Sequence, residues 1–231
     1  MSGKGRPHRP DIPLWFPDPS EADEDGLVAV GGDLSVERLM LAYRSGIFPW
    51  SAEPISWWSP DPRGIFELDA FHVSRSFART LKREPFEITH DTAFVEVVEG
   101  CASARTDGNW IGPEFIDAYA ALHTAGHAHS FECWQEGKLV GGVYGVASGS
   151  LFAGESMFHT VSEASKVALF HLIAHLNERD FTLFDIQMLT PITRQLGATH
   201  LPREEYLDRL ADAIELHCEF GTGQASQKLS P

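Results

Sequence analysis

Four groups of side chains in this sequence sit where they could do chemistry. The first is a carboxylate and a carboxamide two residues apart, Asp185 and Gln187, in the run Phe181-Thr182-Leu183-Phe184-Asp185-Ile186-Gln187-Met188-Leu189. Side chains alternate along a strand, so Leu183, Asp185, Gln187 and Leu189 face one way and Phe184, Ile186 and Met188 the other. Burying such polar groups unpartnered is costly, so the pair belongs either to a structural hydrogen-bond network or to a polar active site. The second is Glu155, which stands in a similar apolar strand, Leu151 to Phe158. The third is a stripe of cations. Arg75, Arg79, Lys82 and Arg83 are spaced i, i+4, i+7 and i+8, with no acid between His72 and Arg83, and on a helix all four project from one face. The fourth is the set of tryptophans Trp50, Trp57, Trp58 and Trp110, all within three residues of a Gly, Pro or Asn. An aromatic plane near a basic helix is a pairing that stacks unpaired nucleotides. Tryptophans in a small domain are also common core residues, and both readings stay open.

Other chemistries find less support. No G-x-S-x-G and no cysteine with local basic activation is present. His123, His127 and His129 have H-x-x-x-H-x-H spacing, and His171 and His175 would share a helix face, but no Glu follows His171 as a zincin motif requires. Ordinary histidine roles and no metal are therefore expected. Gly141, Gly142, Gly145 and Gly149 lie in a strand hairpin, where a phosphate-binding loop is not expected. They allow either close backbone approach or the packing of something large against that face.

These residues need elements to hold them. A helix from about Ser35 to Ser45 is capped by Asp33 or Ser35 and followed by Gly46. The basic helix, a helix from Asp91 to Cys101 and another from Pro113 to Thr124 come next. Strands His129 to Trp134 and Leu139 to Ser148 flank a turn at Gln135 to Lys138, and a third strand follows at Ser150 to Phe158. Thr160 and Glu163 read as a capping box before a long helix through Asn177, and an amphipathic helix is expected from Arg203 to Leu216. The class is α+β with a mixed sheet. A loop-rich N-terminal domain is expected over 1–66, a larger domain over 67–220, and a mobile polar tail over 221–231.

With 33 Asp and Glu against 18 Lys and Arg, the net charge is −15. Taken alone, that argues against a nucleic-acid substrate. The acid is concentrated, however. Residues 11–37 carry eight acids and no Lys or Arg, and residues 201–220 carry six acids and two arginines. The 43% of apolar residues excludes whole-chain disorder, and no apolar run is long enough to span a bilayer. Three scattered cysteines without a C-x-x-C pair fit a reducing cytoplasm.

Nine blocks, in order, resemble the bacterial leucyl/phenylalanyl-tRNA-protein transferases: Gly31 to Ser35, Gly46 to Trp50, Trp57 to Arg63, His72 to Ser76, Gly126 to Ser130, Gly141 to Val146, Gly154 to Phe158, Ala164 to Lys166, and Asp185-x-Gln187. The resemblance runs from about Phe16 to Leu216. It implies a C-terminal domain of the acetyltransferase-like (GNAT) fold and a cytoplasmic location; the oligomeric state stays open, with a monomer favoured. It also implies transfer of Leu, Phe or less readily Met from aminoacyl-tRNA to proteins beginning with Arg or Lys, marking them for N-end rule degradation, without metal or coenzyme. By the same resemblance Arg75, Arg79, Lys82 and Arg83 contact tRNA, and Trp50 and Trp110 hold the 3′-adenosine. Val143, Phe152, Leu169, Leu172 and Leu176 form the aminoacyl side-chain pocket. Gln187, polarised by Asp185, would orient the acceptor amine and draw off its proton, while Glu155 helps hold the cationic N-terminal residue.

Three alternatives remain in view. A coenzyme A-dependent acetyltransferase shares the implied fold, but its Q/R-x-x-G-x-G/A loop is missing before the helix that follows Thr160. A tRNA-binding module without catalysis would have no use for Asp185, Gln187 and Glu155. A transferase acting on acidic N-termini stays open, because Pro191-Ile192-Thr193-Arg194 departs from the more polar stretch usual in relatives.

Overall fold

The computed structural model describes residues 13–104 and 111–221. Trp110 and residues 222–231 of the tail lie outside the described residues.

Three N-terminal strands, β1 (Leu27–Val30), β2 (Phe48–Ala52) and β3 (Ile55–Trp58), form a small antiparallel sheet in the order β1-β3-β2. Between β1 and β2 runs helix α1 (Val36–Arg44). Ser35 caps it, its Oγ accepting from the Arg38 N–H, and Gly46 at φ 75° lets the chain turn away at the other end. Trp57 is core, and its Nε1 donates to the Gly31 carbonyl at 2.7 Å.

The large sheet has seven strands: β4 (Arg63–Phe66), β5 (Glu87–His90), β6 (Ala128–Gln135), β7 (Lys138–Ser148), β8 (Leu151–His159), β9 (Leu183–Gln187) and β10 (Thr199–Leu201). Their order is β10-β4-β9-β8-β7-β6-β5. Thus Arg63–Phe66, inside the segment expected to form the N-terminal domain, is a strand of the large sheet. The hydrophobic core is also shared, with Leu39, Tyr43 and Trp57 packing in one cluster with Val97, Phe115 and Tyr144.

The neighbours in this sheet pair antiparallel except β8 and β9, whose parallel pairing needs a crossover. Helix α5 (Ala164–Glu178) supplies it. The parallel ladder is short, joining only Leu151 to Leu183, Phe152 to Phe184 and Ala153 to Asp185. Beyond it β8 continues to His159 with no β9 partner, and a gap opens between the strands.

The strand glycines answer to close packing. A Cβ on Gly141 would stand 2.6 Å from the Ala164 Cβ of α5, and one on the adjacent Gly142 would stand 2.9 Å from Val97 of helix α3 (Phe94–Ser103). Successive residues point to opposite faces, so β7 is sandwiched between two closely seated helices. Helices α2 (Arg75–Arg83), α4 (Pro113–Thr124), α6 (Pro191–Gln195) and α7 (Arg203–Glu215) complete the fold, whose mixed sheet flanked by helices is the expected α+β class.

Two expected helix starts differ. Thr160 stays in the β7 ladder, its N–H donating to the Val140 carbonyl at 2.8 Å, so the expected capping box does not close. Glu163 is the N-cap of α5, with φ 74° and no side-chain cap, and its carboxylate pairs with Lys166 at 3.0 Å. The helix expected from Asp91 begins only at Phe94. Asp91, at φ 56°, accepts instead from the Ser130 N–H and pairs with His129.

Because Gly141 leaves no space over α5, Gly141→Ala should lower stability by about 1–3 kcal/mol in urea unfolding. Adding Ala164→Gly should recover part of that loss.

Candidate active site

A β-bulge organises the site. Gly64 of β4 pairs with Gln187 and Ile65 with Asp185, so Ile186 is the extra residue on β9. Gly64 has no side chain because the Met188 backbone passes where its Cβ would be, at 2.9 Å. At the next residue the chain closes a γ-turn, with Gln187 at φ 57° and the Met188 N–H donating to the Ile186 carbonyl at 2.6 Å. Such a turn is sparsely populated, and the surrounding contacts hold it in place.

This bend separates the partners of Asp185 and Gln187. Asp185 is 1% exposed and forms a bidentate pair with the equally buried Arg63, at 2.9 Å from Nε and 2.7 Å from Nη2. It also accepts from the Tyr206 hydroxyl at 2.9 Å and the Gln187 backbone N–H at 2.8 Å. Arg63 in turn donates to the Gly46 carbonyl at 2.9 Å and lies over the rings of Phe48 and Tyr206. Burial disfavours the guanidinium charge, but Asp185 and Tyr206 outweigh it and hold the Arg63 pKa above its ordinary value.

The expected polarisation of the Gln187 carboxamide by Asp185 is therefore corrected. Asp185 grips the backbone N–H of Gln187, and the carboxamide Nε2 donates to Glu155 Oε1 at 3.2 Å. Glu155 is half-buried and held by two buried phenols, Tyr43 donating to Oε1 at 2.9 Å and Tyr119 to Oε2 at 2.7 Å. Burial raises its pKa to about 7; the tyrosine hydrogen bonds counter part of that shift, and the Asp185 charge adds to it. Burial, then the Glu155 charge, keeps both tyrosines well above their ordinary pKa, so they remain neutral donors.

Two cavities meet at Glu155. One, of about 280 Å³, lies in the gap between β8 and β9 and is walled by Phe66, Val143, Met157, Leu169, Phe184 and Ile186. The other, of about 150 Å³, is lined by Phe48, Trp50, Gln187 and Met188. Glu155, Ile186, Met188 and Thr190 border both. An apolar cavity of roughly 150 Å³ holds a benzene ring, so the larger one has room for a leucine or phenylalanine side chain.

Of the residues expected in an aminoacyl pocket, Val143 and Leu169 line the larger cavity. Phe152, Leu172 and Leu176 are buried in the core around it. Trp50 is 37% exposed beside Trp58 and lines the smaller cavity. Arg75, Arg79, Lys82 and Arg83 are all exposed on α2, which is anchored by Phe77 against Phe71 and Phe170. Two of the histidines have other partners: His129 pairs with Asp91 at 2.8 Å, and His123 Nδ1 lies 2.7 Å from the Ala128 carbonyl.

A model of the family described as leucyl/phenylalanyl-tRNA protein transferase matches residues 65–211, and one of that family's N-terminal domain matches residues 32–61. The chain belongs to this family. The leucyl/phenylalanyl-tRNA–protein transferase of Desulfatibacillum aliphaticivorans is 52% identical over 207 residues, covering 87% of this chain and 89% of its own. That of Edwardsiella ictaluri is 49% identical over 222 residues, covering 94% and 87%. Among solved structures, L-PGS from Bacillus licheniformis is 16% identical with a TM-score of 0.40, covering 68% of this chain and 51% of that one, too loose a likeness to argue from.

Arg63, Tyr43, Tyr119 and Tyr206 are the transferase residues that reading the sequence did not single out for a role. Arg63 stands in one of the family blocks, but nothing local marks an arginine as buried. The tyrosines sit on apolar helix stripes beside Leu39, Phe115 and Leu210, where a phenol reads as core. Arg63→Met leaves Asp185 buried without its counter-charge and should cost about 3–5 kcal/mol in urea unfolding. Pairing it with Asp185→Leu should recover much of that loss.

Proposed function

We propose that this transferase moves Leu, Phe and, less readily, Met from aminoacyl-tRNA to the α-amino group of proteins beginning with Arg or Lys, in the cytoplasm, marking them for N-end rule degradation. The observation that carries the reading is the junction of an apolar, side-chain-sized cavity with a tryptophan-lined one at a single carboxylate. The donor's side chain enters the larger cavity, its adenosine stacks on Trp50, and the ester carbonyl then lies beside Glu155 and Gln187. An apolar cavity separates side chains by only about 1–3 kcal/mol per methylene, which accounts for tolerance of Met. The exposed stripe on α2 supplies four phosphate contacts.

An aminoacyl ester is already activated, so the chemistry needs no coenzyme and positioning contributes most. With its Nε2 held by Glu155, Gln187 presents its carbonyl oxygen to the incoming amine. The amine nitrogen attacks the ester carbon, and Glu155 accepts the proton lost from nitrogen. The bond to the ribose oxygen then breaks, and Glu155 returns the proton to that oxygen. A group with a pKa near 7 is suited to both transfers. Asp185 contributes by fixing the Gln187 backbone. The coenzyme A alternative fits poorly, because Glu163 puts a carboxylate at the N-terminus of α5, where such an enzyme needs pyrophosphate-binding amides.

The direct test is transfer of labelled Leu from Leu-tRNA to an Arg-initiated peptide, extended to Phe and Met donors and to Lys, Asp and Glu acceptors. Label appearing only with acidic acceptors would reverse the acceptor assignment. In addition to the limb at about 8 that deprotonation of the acceptor amine itself produces, the single-turnover rate should rise with pH through a limb centred near 7, because protonated Glu155 cannot accept a proton. Glu155→Gln should abolish that limb and lower the rate about 10² to 10⁴-fold, while Tyr119→Phe, by removing a hydrogen bond to the carboxylate, should move it to higher pH. Replacing the four α2 cations with alanine should weaken donor binding and flatten the log–log dependence of affinity on salt by about 0.7–0.9 for each phosphate left unneutralised.

A further inference from the structure

The wall of the larger cavity has a second layer behind it. Phe66 and Phe184, stacked at 5.5 Å, face the cavity. Fully buried Phe152 meets Phe184 edge-on at 5.6 Å, and on its far side Phe220 stacks against it at 5.6 Å. The four rings make one continuous row from the cavity to the segment after α7. Beyond Phe220 lies another cavity of about 430 Å³, bordered by Arg44, His127 and His129, so on that side the row ends at Phe220.

The segment carrying Phe220 has no regular secondary structure, yet Phe220 is buried and firmly held. His175 Nε2 donates to its carbonyl at 2.7 Å, and the His129 ring lies flat against its ring at 4.0 Å. His129 is itself fixed by Asp91. His175 shares α5 with Leu169, which lines the larger cavity. Contacts of this kind place the ring, and the ring places Phe152.

We propose that Phe220 sets the depth of the aminoacyl cavity, acting through Phe152 and Phe184 as a positioning residue that governs which donor side chains are accepted. The inference rests on the cavity being the donor side-chain site. Close-packed aromatic layers relax only in part when one member is truncated. Shortening Phe220 leaves space into which Phe152 retreats, and Phe184 follows. The cavity deepens, and larger side chains gain more from that than leucine does.

The test compares kcat/KM for tRNAs charged with Leu, Phe and Trp, using the full chain as wild type, Phe220→Leu, Phe220→Ala and Phe220→Trp. The Phe-to-Leu ratio should rise about threefold in Phe220→Leu and about tenfold in Phe220→Ala, at or below the roughly tenfold that one well-packed methylene confers. Most of the change should fall in the donor KM, and Phe220→Trp should return the ratio to wild type or below. Saturating benzene should reverse the shift in Phe220→Ala by filling the space. A purely structural role predicts lower stability with equal loss for every donor, and an unchanged ratio across the variants overturns the proposal. If Phe220→Ala does not fold, Phe220→Leu decides alone. Absence of transfer by the wild type with any donor would instead overturn the reading of the cavity.

Discussion

The pairing of Arg63 with Asp185 is the interaction on which the site depends. One guanidinium reaches the loop after α1 through the Gly46 carbonyl, β2 through the Phe48 ring, β9 through Asp185 and α7 through Tyr206. Two charges this deeply buried are tolerable only when their hydrogen-bonding capacity is largely met, and every nitrogen of Arg63 and both oxygens of Asp185 have a partner here. Asp185 accepts four hydrogen bonds, and the one from the Gln187 N–H fixes a strained γ-turn beside the cavities. The pair thus converts a buried electrostatic constraint into the position of a carboxamide.

A second constraint is the brevity of the parallel ladder. Two strands that stayed paired would leave no interior space. Because β8 and β9 part after Ala153 and Asp185, apolar side chains from both line a gap that no backbone crosses. Glu155 stands just past the last pair, at the mouth of that gap, and its two oxygens are held from the opposite direction by α1 and α4. Desolvation raises its pKa, and the phenol hydrogen bonds hold that rise back to near neutrality.

The parts of this design visible in the sequence are those with a local signature. Ser35 capping α1, the turn through Glu136 and Gly137, the cation stripe of α2 and the limits of α4 follow from spacing and from turn chemistry. What was not legible depends on partners far along the chain. Thr160 and Glu163 have the spacing of a capping box, but the ladder to Val140 claims Thr160 first. Strand alternation brings Asp185 and Gln187 to one face only while the strand is regular, and the bulge at Ile186 and the turn at Gln187 end that regularity. The use of Arg63 could not be read from its neighbours, since its partner lies 122 residues away.

The cation stripe on α2 has a consequence for turnover. The molecule has a net charge of −15 yet presents four exposed cations on one helix, so its charge is unevenly distributed. On the proposed reading, that uneven charge would steer an approaching tRNA end towards the stripe. The same field would act on the spent tRNA. An aminoacylated tRNA would be tethered, on this reading, by an apolar side chain held between β8 and β9; after transfer that tether would belong to the peptide, leaving a polyanion on one short basic stripe of an acidic protein. The surplus acid would then favour release of the deacylated tRNA, opposing a grip strong enough to trap the enzyme on it.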